Sequence, residues 1–128
     1  MTALTFEGTV TRGEGNGKKY LALPWVKQQV EEKAGFTPFL GTLNLKLTAP
    51  GIERRKLLNK TKAATICPAK GYCLGLLFKA SIAGLNCAVI LPQIKNYPEN
   101  MLEIIAPVNL RDKLKVKDGR SVTVSVQV

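Results

Sequence analysis

The chain has 128 residues, of which 45% are hydrophobic, and it carries 19 basic against 9 acidic residues. This length fits one folded domain with one core, and no run approaches the ~20 apolar residues of a membrane-spanning helix. Histidine is absent from the sequence, which excludes the commonest general base and the commonest transition-metal ligand. Any bound metal should therefore be a hard ion held by oxygen atoms.

The net charge of +10 indicates an anionic partner, such as a nucleotide, a nucleic acid or an acidic lipid. The basic residues are scattered, and aromatic residues make up only 6% of the chain, so a base-stacking surface for single strands is hard to find. Nucleic-acid binding stays open as an alternative, and no membrane partner is expected.

The cysteines and the first residues of the chain indicate the cellular compartment of the protein. Cys67, Cys73 and Cys87 lack the paired spacing of a zinc or redox motif, so we expect them to be buried thiols in a reducing compartment. The first 12 residues include Glu7 and Arg12, where an export signal would have a charged start and then an apolar stretch. We therefore expect a cytoplasmic protein.

The predicted elements are mostly short strands. Alternating or apolar runs predict strands over residues 4–10, 41–47, 74–82, 85–91, 102–105 and 121–126. A helix is predicted over 24–34, opened by Pro24 and closed by Gly35, with shorter ones over 52–60 and 110–114.

Many short strands with two or three short helices favour a closed β-barrel, because closure removes the exposed edges of a small sheet. A β-sandwich is the second choice. No linker, repeat or shift of composition marks a second domain, so we expect a single domain over residues 1–128.

A glycine-rich run follows the first predicted strand: Gly13, Glu14, Gly15, Asn16, Gly17 and Lys18. Glycines let a backbone approach a ligand closely and turn several N–H groups toward phosphate oxygens. The spacing matches neither the P-loop nor the dinucleotide fingerprint. The run is therefore either a phosphate-binding loop or an ordinary hairpin loop.

A second motif lies in the strand predicted over 41–47. The period of two places Thr42 and Asn44 on the same face, opposite three leucines. Two neutral oxygens at this spacing could bind a Mg²⁺ that takes its other ligands from phosphates and water. The alternative is a polar face turned to solvent.

The third motif is a carboxylate, Glu103, in an otherwise apolar strand that ends at Pro107. It could accept a hydrogen bond from a substrate hydroxyl in a cleft, or point to water. Arg111, a few residues after that strand, is a candidate contact to a phosphate or a base.

Taken in order, the motifs resemble the archaeal CTP-dependent riboflavin kinases. The likeness is carried by the glycine run with Tyr20 after it, the block GFTPFLGTLNLKL over 35–47, the motif EIIAP over 103–107, and Leu110-Arg111. It spans about residues 5–126. The resemblance implies a small, closed six-stranded β-barrel of the cradle-loop type, the fold of this riboflavin kinase family.

The implied reaction transfers the terminal phosphoryl group of CTP to the ribityl 5′-hydroxyl of riboflavin, which yields FMN and CDP. Phosphoryl transfer depends mainly on positioning and charge stabilisation, so a site without histidine is compatible with it. The alternative is a non-enzymatic basic β-barrel that binds nucleic acid. We expect the catalytic domain to stand alone, as a monomer.

The resemblance also implies roles for single residues. Thr42 and Asn44 would bind Mg²⁺, and Glu103 would contact riboflavin and act as the catalytic carboxylate. Asn96, where relatives usually have a threonine, maps to a second flavin contact. The implied nucleotide contacts are Gly13, Glu14, Gly15, Asn16, Gly17, Lys18, Val108, Asn109, Leu110 and Arg111.

Overall fold

The fold is known from a computed structural model that describes residues 3–13, 16–67, 74–95 and 97–128. Within these ranges the chain forms seven strands and four helices. In chain order they are β1 (Ala3–Thr11), α1 (Asn16–Leu21), α2 (Pro24–Ala34), β2 (Leu43–Leu47), α3 (Ala49–Asn59), β3 (Ala64–Ile66), β4 (Gly75–Ile82), β5 (Leu85–Pro92), β6 (Met101–Ile105), α4 (Leu110–Leu114) and β7 (Ser121–Gln127).

Six of the strands close into an antiparallel barrel in the order β4-β5-β6-β2-β1-β7. The last strand, β7, returns to β4 through the pairs Ala80 with Val126 and Ser81 with Ser125, which closes the ring. The seventh strand, β3, pairs with the start of β4 outside the ring. The predicted closed six-stranded barrel is confirmed, and the sandwich alternative is wrong.

The helices differ from the prediction in number and in one boundary. Two or three were expected, whereas the described ranges contain four, because α1 begins at Asn16, within the glycine-rich run. The local sequence does not favour this helix, but Leu21 at its end is fully buried, so packing stabilises it. Helix α3 begins at Ala49 with Pro50 in its first turn, earlier than predicted. In the part of the chain that is described, no helix is long and apolar enough to span a membrane.

The apolar side chains form two clusters on the two sides of the barrel wall. Phe6, Phe78 and Val124 belong to the cluster inside the barrel. Leu77 and Ile90 belong to the second cluster, which also contains residues of α1 and α2. Because α1 and α2 cover this part of the wall, β5 and the first half of β4 are buried on both faces, and their sequences are apolar runs.

The described cysteines differ in exposure. Cys87 is buried, as predicted, whereas the prediction is wrong for Cys67, which is exposed. The reason lies in α2, where the Gln29 side chain accepts a hydrogen bond from the Cys67 N–H at 2.7 Å and donates one to its carbonyl at 3.2 Å. The Cys67 backbone is thus held beyond the end of β3 with its thiol outside the core. Cys73 lies outside the described residues.

This difference predicts selective alkylation. Burial raises the pKa of Cys87 to about 12, so its thiol stays protonated at pH 8 and inaccessible to reagent. Treatment of the folded protein with iodoacetamide should therefore modify Cys67 and spare Cys87, as read by peptide mass mapping. Unfolded protein is the control and should react at both positions. Equal modification of both in the folded state would contradict the packing described.

Candidate active site

Three polar side chains meet where β2 pairs with β6. Asn44 and Glu103 are direct partners in this antiparallel pair, so their side chains share one face. Thr42 lies two residues before Asn44, just ahead of β2. Its hydroxyl donates a hydrogen bond to Glu103 Oε1 at 3.4 Å and accepts one from Asn44 Nδ2 at 3.3 Å. The second and third sequence motifs therefore form one cluster.

The cluster is partly enclosed. Asn44 is only 8% exposed, while Lys46, on the same face of β2, is exposed. Glu103 and Thr42 are half-buried. The solvent-face alternative is therefore wrong for Asn44 and holds only for Lys46. Glu103 lies in the cluster and does not simply point to water.

Gly13 and Gly17 of the glycine-rich run pack directly on this cluster. A Cβ atom on Gly13 would lie 2.5 Å from Asn44 Nδ2, and one on Gly17 would lie 2.7 Å from Thr42 Cγ2 and 3.3 Å from Glu103 Oε1. The shortest of these distances, to Asn44 and Thr42, are below 3.0 Å, so a larger residue at either position would force the backbone or these side chains to shift. β1 ends at Thr11 and the last three residues of the run, Asn16 to Lys18, belong to α1, so the run leads into a helix and the hairpin-loop alternative is wrong.

The remaining residues of the run have different positions. Asn16 begins α1, and Lys18 lies exposed on the same helix. Glu14 and Gly15 lie outside the described residues, as does the predicted flavin contact Asn96. Their predicted roles remain predictions.

The segment after β6 lines a cavity of about 150 Å³ beside the cluster. Its walls include four of the ten residues predicted to contact a nucleotide, those after β6, together with Thr42. The full lining is Phe39, Gly41, Thr42, Leu43, Ile104, Ala106, Val108, Asn109, Leu110 and Arg111. The fold therefore brings the predicted nucleotide contacts next to a predicted metal ligand.

The four predicted nucleotide contacts after β6 are not alike. Leu110 is buried in the barrel core, so its backbone is the part that could meet a ligand. The Asn109 side chain accepts a hydrogen bond from Asp112 N–H at 3.4 Å and caps α4. Arg111 donates from Nη2 to Asp118 Oδ1 at 2.6 Å and to Thr11 O at 3.1 Å, which fixes its guanidinium group at the end of β1.

Phe39 was not singled out from the sequence. It lines the cavity opposite Val108, and both side chains are partly exposed despite being apolar. The Phe39 N–H donates to Ala106 O at 2.8 Å, which ties the segment before β2 to the end of β6. The sequence feature that could have indicated Phe39 is its position as an aromatic residue just before the GTLNL block.

Two further residues adjoin the cluster, and the sequence analysis assigned a role to neither. The Tyr97 hydroxyl donates a hydrogen bond to Glu103 Oε2. Arg55, on α3, is buried and lies with its guanidinium carbon 5.6 Å from the centre of the Tyr97 ring. Arg55 stands in the basic run Arg54-Arg55-Lys56, which is typical of an exposed helix face, so the sequence carried no sign of its burial.

The chemistry of the cluster suits a hard cation. Within residues 3–13, 16–67, 74–95 and 97–128, no group of three or more histidine, cysteine, aspartate or glutamate side chains could hold a metal. What the site offers is a hydroxyl, an amide and one carboxylate, joined by hydrogen bonds from Asn44 Nδ2 to Thr42 Oγ1 and from Thr42 Oγ1 to Glu103 Oε1. Such a set fits Mg²⁺, which prefers few protein ligands completed by phosphates and water.

A family model decides where the chain belongs. The model CTP-dep_RFKase, described as "Domain of unknown function DUF120", matches residues 10–126. The chain belongs to this family. The resemblance found from the three motifs is thereby confirmed.

Curated relatives cover nearly the whole chain. The riboflavin kinase of Methanosarcina barkeri is 37% identical over 97% of this chain and 57% of its own length. The riboflavin kinase of Pyrobaculum aerophilum is 40% identical over 93% of this chain and 59% of its own length. The riboflavin kinase of Ignicoccus hospitalis is 36% identical over 96% of this chain and 71% of its own length. The chain thus spans little more than half the length of the first two relatives.

Proposed function

We propose that the chain transfers the terminal phosphoryl group of CTP to the ribityl 5′-hydroxyl of riboflavin, giving FMN and CDP. The observation that carries the proposal is the packing of Gly13 and Gly17 onto Thr42, Asn44 and Glu103. A loop suited to phosphates, a set of oxygen donors and a carboxylate are what a kinase site requires. Relatives named riboflavin kinase and a family model named for CTP support the choice of substrates.

The glycine-rich run would hold the triphosphate. Gly13 and Gly17 bring the backbone against the cluster, where N–H groups can meet phosphate oxygens. Lys18 lies exposed on α1 just after Gly17 and supplies a positive charge nearby. Because phosphoryl transfer has a loose transition state with charge spread over oxygens, holding the phosphates in place is a large part of catalysis.

Thr42 and Asn44 would hold Mg²⁺ through the hydroxyl and the amide oxygen. When bound, the ion would neutralise charge on the phosphate oxygens. The hydrogen bonds within the cluster prepare the ligands, since Asn44 Nδ2 and Glu103 Oε1 fix the Thr42 hydroxyl between them. The donor proton of Thr42 points to Glu103, which leaves an oxygen lone pair for a cation.

Glu103 would receive the riboflavin hydroxyl. Among the described residues, Thr42 donates a hydrogen bond to its Oε1 and Tyr97 donates one to its Oε2. A carboxylate oxygen can accept two hydrogen bonds, so a substrate hydroxyl could donate to either one. Glu103 can thereby orient the attacking oxygen and accept its proton as the bond to phosphorus forms.

The cavity beside Thr42 would hold the cytosine base. Cytosine presents an amino donor next to ring-nitrogen and carbonyl acceptors, a pattern that backbone groups can match. The segment from Val108 to Arg111 provides such groups, and Phe39 provides an aromatic wall. This position places the base beside the predicted metal ligand Thr42. The proposed flavin contact at Asn96 and the monomeric state remain predictions.

Turnover on a panel of substrates tests the proposal. Purified protein with Mg²⁺ and riboflavin should form FMN with CTP and little or none with ATP or GTP, as measured by chromatography of the flavins. Salt-sensitive binding of oligonucleotides without flavin turnover would overturn it and favour the nucleic-acid alternative suggested by the +10 charge.

Gly17 offers a direct test of the glycine-rich run. Gly17→Ala would place a methyl carbon within 2.8 Å of Thr42 Oγ1, so either the run or Thr42 must shift. We expect kcat/KM for CTP to fall about ten-fold or more, since displacements of about 1 Å in a catalytic site are costly. Gly75→Ala is the matched control, because its new methyl would meet only ordinary contacts from 3.5 Å outward. Wild-type kinetics in a folded Gly17→Ala protein would remove this segment from the site.

A further inference from the structure

The side chain of Tyr97 lies between a buried positive charge and the carboxylate of the cluster. Its hydroxyl donates to Glu103 Oε2, and its ring lies 5.6 Å from the guanidinium carbon of Arg55. Tyr97 is itself half-buried. One aromatic side chain therefore connects α3 to the carboxylate proposed to meet the substrate.

The Tyr97 hydroxyl stays protonated, so it can donate a hydrogen bond to Glu103. Burial, with the nearby negative charge of Glu103, raises the pKa of Tyr97 far above its ordinary value of 10.0, so the phenol keeps its proton at neutral pH. Thr42 donates to the other oxygen, Oε1. Because each carboxylate oxygen of Glu103 accepts a hydrogen bond, rotation of the carboxylate about the Cγ–Cδ bond is restrained.

Arg55 contacts both the Tyr97 ring and strand β6. Its Nε donates to Met101 O at 2.8 Å, on the same strand that carries Glu103. The residue is only 7% exposed, and burial lowers its pKa, an effect opposed chiefly by Tyr97 and then by Glu99 and Glu103. Removing a guanidinium group from water is costly, and the hydrogen bond to Met101 O and the Tyr97 ring offset part of that cost.

We infer that Tyr97 is a positioning residue for Glu103, and that Arg55 fixes both the Tyr97 ring and strand β6, so that the carboxylate presents one orientation to the alcohol substrate. This inference rests on the proposed function. Neither residue needs to touch the reacting atoms. The ring and the strand are held by a single guanidinium group, and the hydroxyl transmits that restraint to Glu103.

Tyr97→Phe tests the inference, because it removes the hydroxyl and keeps the ring beside Arg55. With riboflavin varied at saturating CTP, we expect kcat to fall about ten-fold or more, the range for a lost hydrogen bond to a charged group. The KM for CTP should stay unchanged. Wild-type kcat in Tyr97→Phe would overturn the inference while leaving the proposed function intact. A wild-type protein that forms no FMN would instead overturn the proposed function.

A double-mutant cycle separates positioning from general support of the fold. In a Glu103→Ala background, adding Tyr97→Phe should cause little further loss, because the acceptor of its hydrogen bond is gone. Single-turnover assays at high enzyme concentration keep the slow variants measurable. The same fractional loss in both backgrounds would mean that Tyr97 acts independently of Glu103, and the inference would be wrong.

Arg55 has a matched control at the preceding position of the same helix, Arg54. Arg55→Lys keeps the charge but loses the planar group that faces the ring, so we expect kcat to fall several-fold with unchanged KM for CTP. Arg54 is exposed and donates to Thr5 O at 3.0 Å, away from the cluster, so Arg54→Lys should behave as wild type. Equal kinetics in the two variants would remove Arg55 from the inference.

Discussion

Replacing Asn44 by alanine should lower FMN formation by about 100-fold or more, since even residues that only support metal ligands cost about 10- to 100-fold when changed. The expected loss has two causes. The amide oxygen proposed as a Mg²⁺ ligand disappears, and the Thr42 hydroxyl loses the donor that lies 3.3 Å away. Initial rates of FMN formation, measured across a Mg²⁺ titration, give the size of the loss and the metal concentration at half-maximal rate.

Lys46→Ala is the control for Asn44→Ala, because Lys46 belongs to the same strand and the same face but is exposed. We expect it to keep a wild-type rate, since exposed substitutions away from special features have small effects. Both proteins should remain folded, which thermal unfolding can verify. Similar, minor losses in the two variants at saturating Mg²⁺ would remove the proposed metal role of Asn44.

Replacing Glu103 by glutamine should leave the barrel folded and CTP binding intact, yet lower turnover. The glutamine can still accept a hydrogen bond but is no longer a carboxylate base. If Glu103 takes the proton of the riboflavin hydroxyl, kcat should fall by about 100-fold or more. If it only orients the hydroxyl, the loss should be smaller and fall mainly on the KM for riboflavin.

Steady-state kinetics with riboflavin varied at saturating CTP separate the two roles, because one appears in kcat and the other in KM. Asp112→Asn is a suitable control, since Asp112 is an exposed acidic residue on α4 whose backbone N–H, and not its side chain, bonds to Asn109. Wild-type kcat and KM in Glu103→Gln would mean that the flavin site has to be sought elsewhere in the fold.

The sequence was sufficient for much of the architecture because strand patterns are local. The alternation in 121–126 predicts β7, and Pro24 with Gly35 bounds α2 as the structure has it. Elements without a local signal were missed. Strand β3 has only three residues, which is too few for an alternating pattern to be recognised. Helix α1 is stabilised by the burial of Leu21, and the neighbouring residues give no sign of that burial.

The candidate site shows the same division. The sequence by itself determined the chemical groups, which are a glycine run, two neutral oxygens two residues apart, and a lone carboxylate. The order of these three motifs along the chain indicated the family. The tertiary structure alone decided that they meet, because the pairing of Asn44 with Glu103 depends on the register of β2 against β6.

The surroundings of Glu103 were also decided by tertiary structure alone. Arg55 reads as one of three consecutive basic residues on a helix, and Tyr97 as an aromatic residue before a proline. Arg55 and Tyr97 meet because α3 packs on β1 and β2, from where the Arg55 side chain reaches Met101 O on β6 and the ring of Tyr97, whose hydroxyl bonds to Glu103. Contacts between segments far apart in the chain carry no local pattern, so burial of a charged side chain becomes evident only when the barrel is closed.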